Sequence, residues 1–172
     1  MNTLIISSSL SNKSRSYILC QYIGKELKER KVDVKLFDLR KINIRPCHSG
    51  ITQGMINLKQ EIKSCDNIIF GMGVHNYSIN DSLKIILDNC MEKVEGKFFG
   101  ILCAAGGQKS YLSTMHLTQI CMNEWRMIQL PRVVYATSQE FNAKNLISNQ
   151  ETKKRLKIFA KEFYTIGSKL IN

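Results

Sequence analysis

The chain has 172 residues, 44% hydrophobic and 23% charged, with two prolines and ten glycines, which excludes fibrous and disordered classes and allows a core without disulfides or a structural metal. No apolar stretch nears the ~20 residues of a membrane span, and Leu4-Ile5-Ile6 is too short for a signal peptide, so the chain is expected to be cytoplasmic with no membrane partner. The formal charge of +11 is spread along the chain, with modest clusters at 25–35 and 153–161 on polar helix faces; that spread argues against nucleic acid and for attraction of anionic small molecules.

Residues 3–7 are a short β-branched run that stops at Ser7-Ser8-Ser9. From Ser14 the period changes: Ile18, Leu19, Tyr22, Ile23 and Leu27 mark a helix face running to about Arg30. Val32, Val34 and Leu36 then alternate with polar residues as a strand ending at Asp38-Leu39. A polar connection through Pro46 and Gly50 leads to a second helical set, Met55, Leu58 and Ile62. Residues 67–71 read as a strand buried on both faces, followed by a loop over Gly71–Ser78. Leu83, Ile86, Leu87, Cys90 and Val94 line a third helix. Phe98–Ala104 is another buried strand and ends in Gly106-Gly107. Met115, Leu117, Ile120, Cys121 and Trp125 indicate a fourth helix. Pro131 is expected to break the chain before the strand at Val133-Val134-Tyr135, and Leu156, Phe159, Phe163, Ile166 and Leu170 fall on one side of a last helix.

Alternating strands and helices imply an α/β fold with a parallel, doubly wound sheet, helices on both faces, and a single domain over 1–172. In such folds ligands sit beyond the carboxyl ends of the strands. That directs attention to Ser7–Ser16, Gly71–Ser78 and Ala104–Tyr111. The first of these holds six serines in ten residues and precedes a helix, whose N-terminus offers unpaired N–H donors and partial positive charge. One serine suffices as a helix cap; the surplus, with Arg15, points to phosphate binding.

Rival phosphate motifs are absent. There is no G-x-x-x-x-G-K-[ST], and no cysteine is followed by five residues and then an arginine. Gly71-Met72-Gly73 lacks the third glycine of a dinucleotide fingerprint. The cysteines (Cys20, Cys47, Cys65, Cys90, Cys103, Cys121) are widely spaced without a C-x-x-C, against both a disulfide framework and zinc; several stand where a thiol serves as a small hydrophobe. Cys47-His48 is the one Cys/His pair. His48 and His116 receive no role, and Tyr111 and Trp125 are read as packing residues.

The stretch Ser9-Leu10-Ser11-Asn12-Lys13-Ser14-Arg15-Ser16 resembles the Ser-x-Ser-x-x-Ser-Arg-Ser phosphate loop of the NADPH-dependent FMN reductase family. Asp38-Leu39 is similar to that family's ending of strand two. Residues 73–84 followed by Asp88 resemble its Pro-x-Tyr-x-x-Ser-x-x-x-x-Leu-Lys-x-x-x-Asp segment, with Gly73 in place of Pro and His75 in place of Tyr. Ala104-Ala105-Gly106-Gly107 matches its flavin-edge loop, and the likeness covers residues 1–140.

The resemblance implies a flavodoxin-like three-layer sandwich with a five-stranded parallel sheet in the order 2-1-3-4-5. It implies FMN as cofactor and NADPH or NADH as electron donor. Ser9, Ser14, Arg15 and Ser16 are then expected around the phosphate. Gly73, Val74, His75 and Asn76 would run along the ring and ribityl chain, offering backbone N–H groups to the ring. Ala105, Gly106, Gly107 and Gln108 would hold the pyrimidine edge. No side-chain nucleophile is required; His75 is planar and titratable near neutral pH, and either caps the pocket or donates a proton. The acceptor is expected to be a flavin, quinone, azo or nitro compound, and the assembly a homodimer or homotetramer. The alternatives are a flavoprotein dedicated to one biosynthetic redox step and an electron carrier for a protein partner.

Overall fold

The strands are β1 (Asn2–Ser7), β2 (Asp33–Asp38), β3 (Asn67–His75), β4 (Ser78–Ile79), β5 (Phe98–Ala104) and β6 (Ile128–Ala136), in a computed structural model that describes residues 1–171. Five of them form a parallel sheet in the order β2-β1-β3-β5-β6, which is the expected order once β4 is set aside. Because successive side chains of a strand point to opposite faces, each inner strand feeds two apolar layers. Leu4 and Ile6 enter one and Ile5 the other; Ile68, Phe70 and Met72 join the first and Ile69 the second.

Five helices cover these faces: α1 (Arg15–Lys28), α2 (Gln53–Ser64), α3 (Asp81–Cys90), α4 (Ser113–Trp125) and α5 (Gln150–Gly167). Leu19, Ile23 and Leu27 of α1 pack with Phe159 and Phe163 of α5 over one face. Met55, Leu58 and Ile62 of α2, Leu83, Ile86 and Leu87 of α3, and Leu117 and Cys121 of α4 cover the other. Side-chain caps set several helix starts: Ser14, Thr52 and Asn149 accept from Tyr17, Met55 and Thr152 N–H. The result is a three-layer α/β sandwich.

Several boundaries differ from expectation. The region 71–78 is not an open loop: β3 continues to His75, and β4 returns antiparallel to it, pairing Val74 with Ile79 and His75 with Ser78. Neither Gly71 nor Gly73 has positive φ; the left-handed residues are Asn76 and Tyr77, at φ +48° and +61°. Pro131 does not end a segment either. It lies inside β6, an edge strand where a missing N–H is tolerated, beside a register shift between Phe99 and Ile101. Val94 is buried but beyond the end of α3, Met115 faces outward from α4, Ile166 is exposed on α5 and Leu170 lies past its end.

Candidate functional site

The chain leaves β1 at Ser7 and enters α1 at Arg15, and its serines divide the work between them. Ser8 is fully buried and turns away from the loop; its N–H donates to Gly71 O at 2.9 Å. Ser9 Oγ accepts from Ser11 N–H at 3.4 Å, and Ser11 Oγ accepts from Lys13 N–H at 3.2 Å. Ser14 caps α1 through Tyr17 N–H at 3.1 Å and also meets Ser16 Oγ at 3.1 Å. The surplus of serines is therefore partly structural, because the turn consumes some of their bonding capacity. Arg15 lies over the Phe141 ring at 5.7 Å, and its Nε is buried without a hydrogen-bond partner among the described residues. Asn145 braces the loop from outside, donating to Lys13 O at 3.2 Å.

At the end of β3, Gly73 N–H donates to Asn80 Oδ1 at 3.1 Å. That N–H is thereby removed from the donors expected to face the flavin ring. Val74 is half-buried, while His75, Asn76 and Tyr77 are exposed on the hairpin. His75 Nδ1 stands 3.4 Å from Asp81 Oδ1 in the first turn of α3. Across the hairpin, Ser78 Oγ meets His116 Nδ1 at 2.9 Å, so His116 does have a partner.

After β5, Ala105 N–H donates to Ala136 O at 2.9 Å and fixes the start of the third loop. The next two carbonyls are held from outside: Ser138 Oγ donates to Gly106 O at 3.2 Å and Tyr135 Oη to Gly107 O at 2.5 Å. Holding a carbonyl fixes its peptide plane and hence the direction of the N–H opposite. A Cβ on Gly106 or Gly107 would meet nothing within 4 Å, so both face open space. Gln108 is exposed.

The three loops meet at one cavity of about 180 Å³, lined by Ser9, Ser11, Lys13, Ser14, Arg15, Ser16, Gly73, Ala104, Ala105 and Gly106. Among the described residues, no acidic side chain lines it. The first-turn N–H groups of α1, the hydroxyls and two cations make it an anion site. It is smaller than the ~300–1,000 Å³ of sites that enclose a drug-sized molecule, and suits an anionic head group. The unpartnered Arg15 Nε is the donor such a group would satisfy. Val74, His75, Asn76, Gly107 and Gln108 do not line this cavity; they stand on the hairpin and loop beside it.

Sequence reasoning missed Asn80, Tyr135 and Ser138, which touch the site loops from distant positions. A larger groove of about 1,030 Å³ runs between α3 and α4, with Ile79, Leu87, Met91, His116 and Trp125 along it. Trp125 belongs to this groove and not to the anion cavity. The six cysteines are free thiols and all but Cys47 are buried. Burial pushes Cys103 and Cys121 up to about 12, and Cys65 and Cys90 up to about 11, so these thiols remain protonated and unreactive.

At the C-terminal end of β2, Asp38 accepts from Arg40 Nε at 2.9 and 3.1 Å, from Nη2 at 2.6 Å and from Arg40 N–H at 3.1 Å. Burial pulls the Asp38 carboxyl upward, but the bonds and charge of Arg40 outweigh it and hold it below the usual aspartate value. The guanidinium covers the Tyr17 ring at 4.1 Å, joining this strand end to the first turn of α1.

Solved structures with this fold include the flavoenzyme NAD(P)H:(acceptor) oxidoreductase FerB from Paracoccus denitrificans, 16% identical with a TM-score of 0.76 over 98% of this chain and 97% of that one. The apo form of the NADH:FMN oxidoreductase EMOB is 14% identical, with a TM-score of 0.80 over 96% and 89%. A flavodoxin from Archaea is 16% identical, with a TM-score of 0.67 over 95% and 99%. At these identities the likeness is one of fold, which is flavodoxin-like. Residues 1–142 match the NADPH-dependent FMN reductase family. That match spans most of the chain, including all three loops around the cavity, and the protein belongs to the NADPH-dependent FMN reductase family: an oxidoreductase that uses FMN, with NAD(P)H as electron donor.

Proposed function

We propose that the chain works as one FMN-binding domain in the cytoplasm and passes two electrons from a nicotinamide nucleotide to a small-molecule acceptor, a flavin, quinone, azo or nitro compound. The observation that carries this reading is the convergence of Ser14, Arg15, Ser16, Gly73, Ala105 and Gly106 on one cavity without an acidic residue. Free cysteines fit a reducing compartment.

The flavin, when bound, supplies the redox chemistry; the protein supplies placement and electrostatics. Arg15 and the first turn of α1 hold the phosphate. Gly107 and Gln108 N–H groups, aimed by Ser138 and Tyr135 through the carbonyls of Gly106 and Gly107, bond the pyrimidine edge, with Gly106 beside them. Val74, His75 and Asn76 border the ring, with Asp81 Oδ1 3.4 Å from His75 Nδ1. The outward row of Met115 and Met122 on α4, with Leu112 just before it, supports a homodimer or homotetramer.

Steady-state NADPH oxidation with added FMN tests the reading, alongside the absorption spectrum of the purified protein. Turnover with FMN is expected, and Arg15→Ala is expected to weaken FMN by about tenfold or more while sparing riboflavin. Tight FMN without NADPH oxidation sinks the reductase and favours a dedicated flavoprotein or a carrier. A protein that binds no FMN overturns the site.

A further inference from the structure

Asn80 stands immediately before α3 with an extended backbone, where an asparagine side chain ordinarily accepts from the first helical turn. It makes no such bond. Asp81 Oδ1 takes Ser82 N–H at 2.7 Å instead. The Asn80 side chain turns inward, leaving the residue 1% exposed, and joins the two ligand-facing loops. Its Oδ1 accepts from Gly73 N–H at 3.1 Å and lies 2.9 Å from Ser8 Oγ; its Nδ2 donates to Ser8 O at 3.2 Å and to Ser82 Oγ at 2.7 Å. Ser82 Oγ donates onward to the same Ser8 carbonyl at 2.6 Å. Ser8 is fully buried and Ser82 is 2% exposed, so water does not substitute for any member.

A buried amide with both ends engaged by backbone fixes distance and angle together. One partner is the first residue beyond β1, where the phosphate loop begins. The other is the last β3 residue before the hairpin. Gly73 is suited to the arrangement because it has an N–H to give, which a proline does not.

We propose that Asn80 is a positioning residue for FMN, setting the spacing between the phosphate loop and the 74–79 hairpin so that one ligand engages both at once. The proposal rests on the FMN placement given above. Its physical content is a linkage effect. When two contact regions are held rigidly, engaging the second adds to the first; when they move independently, part of that gain goes into ordering them. Asn80 forgoes a helix cap to supply the rigidity.

FMN and riboflavin differ by the phosphate alone, so their affinity ratio reads the linkage. We would measure both dissociation constants by flavin fluorescence for the wild type, Asn80→Ala and Ser82→Ala, with thermal unfolding in parallel. For Asn80→Ala the FMN affinity is expected to fall about tenfold while riboflavin changes by no more than about twofold. Ser82→Ala keeps Asn80 and removes one donor to Ser8 O; there the ratio is expected to fall about threefold. A ratio that stays at its wild-type value, with both affinities unchanged or falling together, overturns the proposal, because a residue of merely structural importance affects both flavins alike. If Asn80→Ala fails to fold, Ser82→Ala decides on the same criterion. A wild type that binds neither flavin removes the FMN placement and the proposal with it; a wild type that binds FMN while the variants keep its ratio overturns only the role of Asn80.

Discussion

The phenol of Tyr135 reaches from β6 to donate to the carbonyl of Gly107 at 2.5 Å, and the same oxygen lies 3.2 Å from Ser110 Oγ. A residue 7% exposed thus controls the orientation of a peptide in an exposed glycine loop. Tyr135→Phe keeps the edge contact with Tyr111, whose ring centroid is 5.3 Å away, and removes only the bond. Since Gly107 O can turn to water, stability is expected to fall by only about 0.5–1.5 kcal/mol. FMN affinity is expected to fall severalfold, because the Gln108 N–H, which shares the peptide plane of the Gly107 carbonyl, loses its fixed direction. Fluorescence titration beside thermal unfolding checks both; unchanged FMN affinity would detach this loop from the flavin.

The contrast between the first loop and Tyr135 shows what a sequence discloses. A serine-rich turn before a helix is a local arrangement, and its anion affinity follows from backbone dipoles whatever the rest of the chain does. The order of elements was legible for the same reason: the apolar run Leu4-Ile5-Ile6 and the alternation of Val32, Val34 and Leu36 with Asp33 and Lys35 are local patterns. Tyr135 meets Gly107 across 28 residues and Asn80 meets Ser8 across 72. Only the closed sheet brings those pairs together. The 71–78 hairpin was misread because Gly71 and Gly73 look like punctuation. In the fold, Gly71 answers a packing demand from Cys20, and the turn falls on Asn76 and Tyr77, one of them a residue type that rarely adopts positive φ.

Tyr77 is 65% exposed and sits second in a two-residue turn whose central residues are both left-handed, the type I′ arrangement that favours glycine there. An L-residue in that conformation carries roughly 1 kcal/mol of strain, and so exposed a side chain recovers little of it by packing. Tyr77→Gly is therefore expected to raise stability by about 0.5–1 kcal/mol, despite glycine's greater freedom in the unfolded chain. Urea unfolding is the measurement. Destabilisation would show that the phenol ring holds the hairpin through contacts stronger than the strain.

Gly71 faces α1 so closely that a Cβ there would overlap Cys20 Sγ, whereas its next neighbours, Ile6 O and Ser16 O, would lie at an ordinary 3.5 Å. The sulfur alone forbids a side chain. Gly71→Ala is expected to destabilise by about 1–3 kcal/mol through overpacking. In a Cys20→Ala background the same substitution should cost distinctly less, because the vacated space accepts the new methyl, giving a coupling of about 1 kcal/mol or more in a double-mutant cycle. Additive effects would mean that α1 moves as a whole to admit the Cβ, and FMN affinity would then fall in Gly71→Ala, since Ser16 lies on the displaced turn.

Asp38 offers a pH-dependent test of how β2 is tied to the start of α1. Its carboxyl is held below the usual aspartate value in the fold, burial opposing and Arg40 prevailing. A group whose folded pKa is depressed contributes stability that is fully present above its unfolded value, about 3.9, and is lost as pH falls through the folded value. Asp38→Asn removes the charge, keeps an oxygen for Arg40 N–H and leaves the guanidinium over Tyr17 without its carboxylate. At pH 7 the variant is expected to be less stable by about 1–2 kcal/mol. The gap between the two proteins should hold at pH values above the unfolded carboxylate value and narrow as pH falls below it through the depressed folded value, where the wild-type carboxyl itself takes up a proton. Urea unfolding across that range separates this from loss of shape, which would give a gap independent of pH. Because Arg40 rests on Tyr17 in the first turn of α1, the same substitution should also loosen the anion cavity and weaken FMN at neutral pH.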